Sequence, residues 1–156
     1  MVTTGKVTKM QWSEGKLGRV FVLRLEDGDS IPTSIEEFAK ARGVRKGFCV
    51  ALGGLETGTL VAGPEDGTAS PIVPLLEVIG DVHEAAAIGT IFPSEDGTPT
   101  LHMHGALGRR DSSRIGCLRA GVDVWKTFEV ILIELVGVMM RRKMDRESGF
   151  ELLSSE

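Results

Sequence analysis

Tyrosine is absent from this chain of 156 residues, and aromatic residues together make up only 5%. A core drawn from such a sequence is filled by Val, Ile, Leu and Ala, and it offers no aromatic platform on which nucleic-acid bases could stack. Cysteine is nearly as scarce. Cys49 and Cys117 stand far apart and are too few for a disulfide framework, so a reducing setting is expected. No apolar run approaches the roughly 20 residues of a membrane helix, and the opening Met1-Val2-Thr3-Thr4-Gly5-Lys6 has no signal-type apolar stretch. The expected localisation is cytoplasmic, without membrane association. Positive charge is also short: 18 basic against 22 acidic side chains leave a formal charge of −4. Affinity for nucleic-acid phosphates is mostly electrostatic, so a grip over the whole surface is disfavoured and a local basic patch is the remaining route.

What is present fits one ordinary folded unit. Apolar residues at 42% and charged residues at 26% are the balance of a compact domain rather than a disordered segment. The chain is read as a single domain over 1–156, with a core of about 18–144 and peripheral segments at 1–17 and 145–156. The first 17 residues suit either a loosely held arm or an edge strand. Arg19 to Leu25 is β-branched and apolar, as for a strand, and stops at the turn sequence Glu26-Asp27-Gly28-Asp29. The clearest helix spans about 34–42. Pro32 sits just ahead of it, Ser34 and Glu37 have capping-box spacing, Ile35, Phe38 and Ala39 lie on one face, and Gly43 suits the stop.

From Gly47 onward nearly everything reads as strand. Phe48 to Leu52 is continuous and apolar, Gly53-Gly54 breaks or kinks it, and Thr57 to Ala62 forms a further strand. Strands follow over 72–79, 83–92, 101–107, 114–118, 127–136 and 138–144, and Phe150 to Leu153 suits a frayed end or an edge strand. Strands run in series instead of alternating with helices. The expected class is therefore α+β, a mostly antiparallel sheet with one clear helix and room for one more short one.

The residues with chemical promise gather between 83 and 118. In a strand, His102 and His104 of His102-Met103-His104 share a face, with Cα atoms roughly 6.5–7 Å apart, so both imidazoles can meet one divalent ion. Two polar residues on a solvated strand face would look the same. Arg114-Ile115-Gly116-Cys117-Leu118 can fold back beside that strand. Cys117 then stands opposite His102 or His104 if the paired positions sum to 219 or 221, and a one-residue slip turns its sulfur away. The sequence leaves both registers open. In the favourable one, two imidazoles and a thiolate make a three-ligand zinc set with a position for water or a small anion.

His83 and Glu84 are candidates for a fourth ligand or for orienting a ligand, although neighbours on a strand point to opposite faces. Arg109 and Arg114 are candidates for an anion-holding rim, and Arg141-Arg142-Lys143 reads as solvated edge protection. Cys49 reads as core, and Glu129 and Glu134 as ion-pair partners. There is no nucleophile elbow, phosphate loop or Ser-His-Asp set. No complete catalytic constellation is visible. Metal-assisted hydrolysis would have only Glu84 as a general base.

Several segments in order make the chain resemble the plants-and-prokaryotes-conserved (PPC) domain family, in its prokaryotic form. They are Gly18 to Leu25, Ala51-Leu52-Gly53-Gly54-Leu55, His83-Glu84 with Gly89-Thr90-Ile91, Leu101 to Leu107, Ile115 to Leu118, and Thr127 to Val130. The resemblance implies an α+β fold with an antiparallel sheet, assembled as a homotrimer. It also implies a metal site drawn from the His-x-His strand and a Gly-Gly-His-Leu segment. That segment here reads Ile115-Gly116-Cys117-Leu118, with Cys117 in place of the family's third histidine. Plant members carry AT-hooks, whose Arg-Gly-Arg-Pro core this chain lacks. The expected function is that of a zinc-binding protein with an unspecified small-molecule or anion ligand. The alternative is a DNA-associated or regulatory oligomeric assembly module.

Overall fold

The structure, a computed structural model, describes residues 4–7, 10–119 and 121–156. Two short strands, β1 (Thr4–Val7) and β2 (Met10–Ser13), form an antiparallel hairpin at the start. They are followed by β3 (Lys16–Glu26), β4 (Ser30–Ile31), the helix α1 (Thr33–Ala41), β5 (Gly47–Pro64), β6 (Pro74–Ile79), β7 (His83–Pro93), β8 (Pro99–Arg109), β9 (Ser112–Leu118) and β10 (Val122–Val136). A last hairpin joins β11 (Met140–Met144) to β12 (Glu151–Ser155), so the terminal Leu-rich stretch is a paired strand. The expected α+β class and antiparallel sheet hold. Among the described residues α1 is the only helix, and the second short helix is not formed.

The main sheet runs β3-β10-β5-β7-β8-β9 with every neighbouring pair antiparallel. Its organiser is β5, 18 residues long. Gly53-Gly54 does not end this strand but bends it. Gly53 has a φ of +148°, and a Cβ there would run into the Thr127 carbonyl across a bulge in β10. Beyond the bend, β5 leaves β7 and pairs with β6 on one side and with β9 on the other, through Leu60↔Leu118 and Val61↔Cys117. Strands β5, β7, β8 and β9 thereby close on one another.

The core lies on one face of the sheet under α1. Ile35 and Ala39 of the helix are buried there with Cys49, Leu55, Leu60, Ile91, Met103 and Phe128. Phe38 packs edge-on to Phe21 with ring centres 5.3 Å apart, and the Glu36 carboxylate accepts a hydrogen bond from the Leu101 N–H at 2.7 Å. The helix opens one residue earlier than its sequence suggests. Pro32 is the residue ahead of its first turn and no side chain caps it, so the Ser34–Glu37 capping box does not form. Proline, with φ already fixed and no N–H to satisfy, starts the helix instead. Gly43, at a φ of +66°, ends it as expected.

Candidate metal centre

Strand β8 alternates cleanly. Leu101, Met103, Gly105 and Leu107 face the core, and His102, His104 and Ala106 face outward. The side-chain period of two therefore puts both imidazoles on the sheet face away from α1. Residues 105–113 carry the chain round into β9, whose pairing with β8 sets His104 opposite Cys117. These positions sum to 221, one of the two registers that bring sulfur and imidazole to a common face. One ring nitrogen from each histidine and the Cys117 Sγ all lie within 4.8 Å of one another. The two Nε2 atoms are 3.0 Å apart, one donating its hydrogen to the other, with the rings 4.9 Å apart and inclined at 73°.

This donor set fits a small tetrahedral ion. Two nitrogens bound to one zinc at ordinary bond lengths are about 3.3 Å apart, and nitrogen and sulfur are somewhat further. The two imidazoles already stand near the first spacing. Such an ion would displace the proton between the rings.

The surroundings are positive. Burial is the largest influence on His102 and lowers its pKa; Arg142, His104 and Arg119 add to the lowering. Burial raises the Cys117 thiol, while Arg119 and Arg142 pull less strongly the other way. Arg142 comes from β11, which folds over the outer face of β7. Its Nη2 donates to the Thr90 carbonyl and hydroxyl, each at 3.2 Å, and Thr90 is the register partner of His102. Opposed side chains in such a pair have Cβ atoms roughly 5 Å apart, so the guanidinium lies within a side chain's breadth of the imidazole.

The other residues expected near the site are elsewhere. His83 is on the core face of β7, with its Nδ1 2.6 Å from the Asp81 carbonyl. It lies seven positions from Thr90, roughly 23 Å along the strand. Glu84 faces outward but pairs with Gly108, four positions or roughly 13 Å from the partner of His104. Neither supplies a ligand, an orienting contact or a general base to the cluster. Arg109 and Arg114 form no anion rim, because both turn toward β6 and its connection to β7. Arg109 donates to the Val82 carbonyl at 2.8 Å and pairs with Asp81 at 3.6 Å; Arg114 donates to the Val78 carbonyl at 2.9 Å and reaches Glu77 at 3.9 Å.

The basic side chain the structure brings to this face is Arg142. It is only 5% exposed, so the reading of Arg141-Arg142-Lys143 as a solvated edge is overturned at its central residue. The pattern Met140-x-Arg142 carries the signal, since period-two alternation puts this arginine on the same face as an apolar residue. Cys49 is wholly buried and both cysteines are free. Glu134 pairs with Arg19 at 2.8 Å, as expected of an ion-pair partner.

A family model of the Plants and Prokaryotes Conserved (PCC) domain matches residues 12–136. Among solved structures, a protein described as metal-containing from Archaeoglobus fulgidus superimposes with a TM-score of 0.81 at 23% identity, covering 94% of this chain and 100% of its own. A plant- and prokaryote-conserved protein from Pyrococcus horikoshii gives 0.76 at 25%, covering 97% and 99%. A protein from Bacteroides thetaiotaomicron, described as a putative DNA-binding protein, gives 0.72 at 19%, covering 99% and 98%. No protein of curated function matches the sequence.

Proposed function

This chain belongs to the Plants and Prokaryotes Conserved (PCC) domain family, and on that premise we propose that it is a zinc-binding, self-assembling domain whose centre is held by His102, His104 and Cys117. The observation that carries this reading is the convergence of two imidazole nitrogens and a thiol sulfur within 4.8 Å. Two imidazoles and a thiolate are borderline-soft donors, which favour zinc over magnesium or calcium. The similar protein from Archaeoglobus fulgidus, described as metal-containing, supports metal binding in this fold. Three protein ligands leave a fourth position at which zinc would polarise a water or bind an anion. Here the chain's own part is to hold and orient: β8 fixes both rings on one face, and β9 brings the sulfur to them. Among the described residues no carboxylate joins the cluster to act as a base.

The assembly reading rests on the same face of the sheet. Val22, Ile131, Val50, Ile88, His104 and Cys117 form one register row across β3, β10, β5, β7, β8 and β9. The apolar members of that row are exposed: Val22 at 78% and Ile88 at 61%. Leu52 and Ile115 are exposed beside it. An apolar surface of this extent marks an association site. In the homotrimer that the family resemblance implies, the apolar stretch of this face over β3, β10, β5 and β7 is the part to be covered, with the cluster at its margin. The DNA-associated alternative draws on neighbours described as putative DNA-binding proteins. It needs a gathered basic patch, yet Arg109 and Arg114 pair with carboxylates, Arg142 is buried and Lys143 donates to the Ser155 carbonyl.

Elemental analysis of the purified protein tests the metal reading. About one zinc per chain is expected in the wild type, with less than about a tenth of that in His102→Ala and Cys117→Ala. Undiminished metal in both variants overturns it.

A further inference from the structure

The charge around the cluster points to what would occupy its open side. Arg142 is buried, its Nε has no hydrogen-bond partner, and no carboxylate forms an ion pair with it among the described residues. Glu151 acts on it only from beyond ion-pair distance, and its two hydrogen bonds, both from Nη2, go to neutral oxygens of Thr90. A guanidinium taken out of water without a counter-charge is costly, and a charged partner is the usual remedy. Arg119, exposed just past the end of β9 and two residues beyond Cys117, adds a second guanidinium at this edge of the cluster. A divalent ion with one thiolate keeps a net positive charge, and two guanidiniums increase it.

Resting on the metal reading above, we propose that Arg142, assisted by Arg119, forms an oxyanion-binding half of this centre: the ligand on its open side is a small molecule presenting a carboxylate or phosphate group. An oxygen of that group would meet the open metal position while guanidinium N–H groups receive its negative charge. The planar donor fork of arginine suits either oxyanion. Thr90 holds Nη2 and so fixes the plane of the fork beside His102. No covalent step is involved.

The test uses the full chain loaded with Co²⁺, because thiolate-to-cobalt absorption reports the metal centre by itself. Acetate and, separately, inorganic phosphate are titrated at constant ionic strength into wild type, Arg142→Gln and Arg119→Gln. Binding is read from the cobalt ligand-field bands and by calorimetry. The expected result is binding of at least one oxyanion to the wild type, weakened about tenfold or more in Arg142→Gln and about threefold in Arg119→Gln, with the thiolate band intact in both. The tighter of the two anions identifies the class of headgroup. Wild-type affinity in Arg142→Gln, or no binding of either anion to the wild type, overturns the proposal and leaves the metal centre standing. Should Arg142→Gln fail to fold, Arg119→Gln decides by the same criterion. Absence of the thiolate band from the wild type overturns the metal reading, and the proposal falls with it.

Discussion

Replacing Cys117 by histidine should change the pH dependence of metal binding more than its strength. The Cys117 thiol is buried and its pKa is raised above the ordinary 9.0, so near neutral pH it is protonated. A metal must displace that proton to bind the thiolate. An imidazole ordinarily loses its proton near pH 6.5, and His102 lies below its ordinary value, so that ring is already neutral at pH 7. Between about pH 7 and 8.5 the apparent zinc affinity of the wild type should therefore rise about tenfold per pH unit. This is a gain of roughly 30-fold, or about 2 kcal/mol, over the interval. In Cys117→His the third ligand is neutral across the same interval, and the dependence should nearly vanish while zinc is still bound. Cys117→Ala should also lose the slope, together with about a hundredfold in affinity, because a donor is removed. The assay is competition with a chromophoric chelator at constant ionic strength, corrected for the chelator's own protonation. Equal slopes in wild type and Cys117→His would show that the sulfur is not a ligand, whatever the distances.

Two further outcomes follow from the packing. Cys49 is 0% exposed and burial pushes its thiol up to about 11 from the ordinary 9.0, so the folded state keeps a proton that the unfolded chain sheds first. Its contribution is complete below pH 9 and is lost as pH rises through about 11; two units correspond to about 3 kcal/mol. Urea unfolding of the wild type should weaken over that range, and Cys49→Val should lose less stability than the wild type; parallel pH profiles would refute this. Ile88→Glu tests the outer face. Ile88 is 61% exposed between Val50 and His104, and each such side chain buried in an assembly contributes about 2 kcal/mol. The carboxylate should reduce the solution mass by light scattering to that of one chain without abolishing cooperative unfolding; an unchanged mass places the interface elsewhere.

The elements most legible in the sequence are those whose neighbours do not matter. Ile35, Phe38 and Ala39 mark α1 by their spacing, and Gly43 closes it because a left-handed residue ends a helix at little cost there. The alternation of Leu101, His102, Met103 and His104 likewise places the histidines on one face before any partner strand is known. The errors fall where tertiary contacts decide. Of the two readings of Gly53-Gly54, break or kink, the kink holds, but Thr57 to Ala62 is no separate strand: β5 runs on through the bend because β6 and β9 pair with its second half. Ser34 and Glu37 have the spacing of a cap, but Pro32 already holds the position ahead of the first turn, which opens at Thr33.

The site divides along the same line. Whether Cys117 meets the histidines depends on register, and a register is selected by everything else that must pack. In the observed pairing Leu118 stands beside Met103 with both buried, and Gly116 brings β9 against the Val61 backbone. A slip by one residue would turn Leu118 outward and Cys117 into the core, losing a buried leucine on the order of 2 kcal/mol. The core face thus holds the sulfur on the outer face, which is why the cluster is as well determined as the hydrophobic packing behind it. Arg142 had no such local rule. It reaches Thr90 from a hairpin 52 residues further along the chain, and its charge, which in a short basic run reads as solubility, becomes a specific field only once β11 has folded over β7. The His102–His104–Cys117 cluster is therefore a property of one strand pair, and its electrostatics a property of the whole chain.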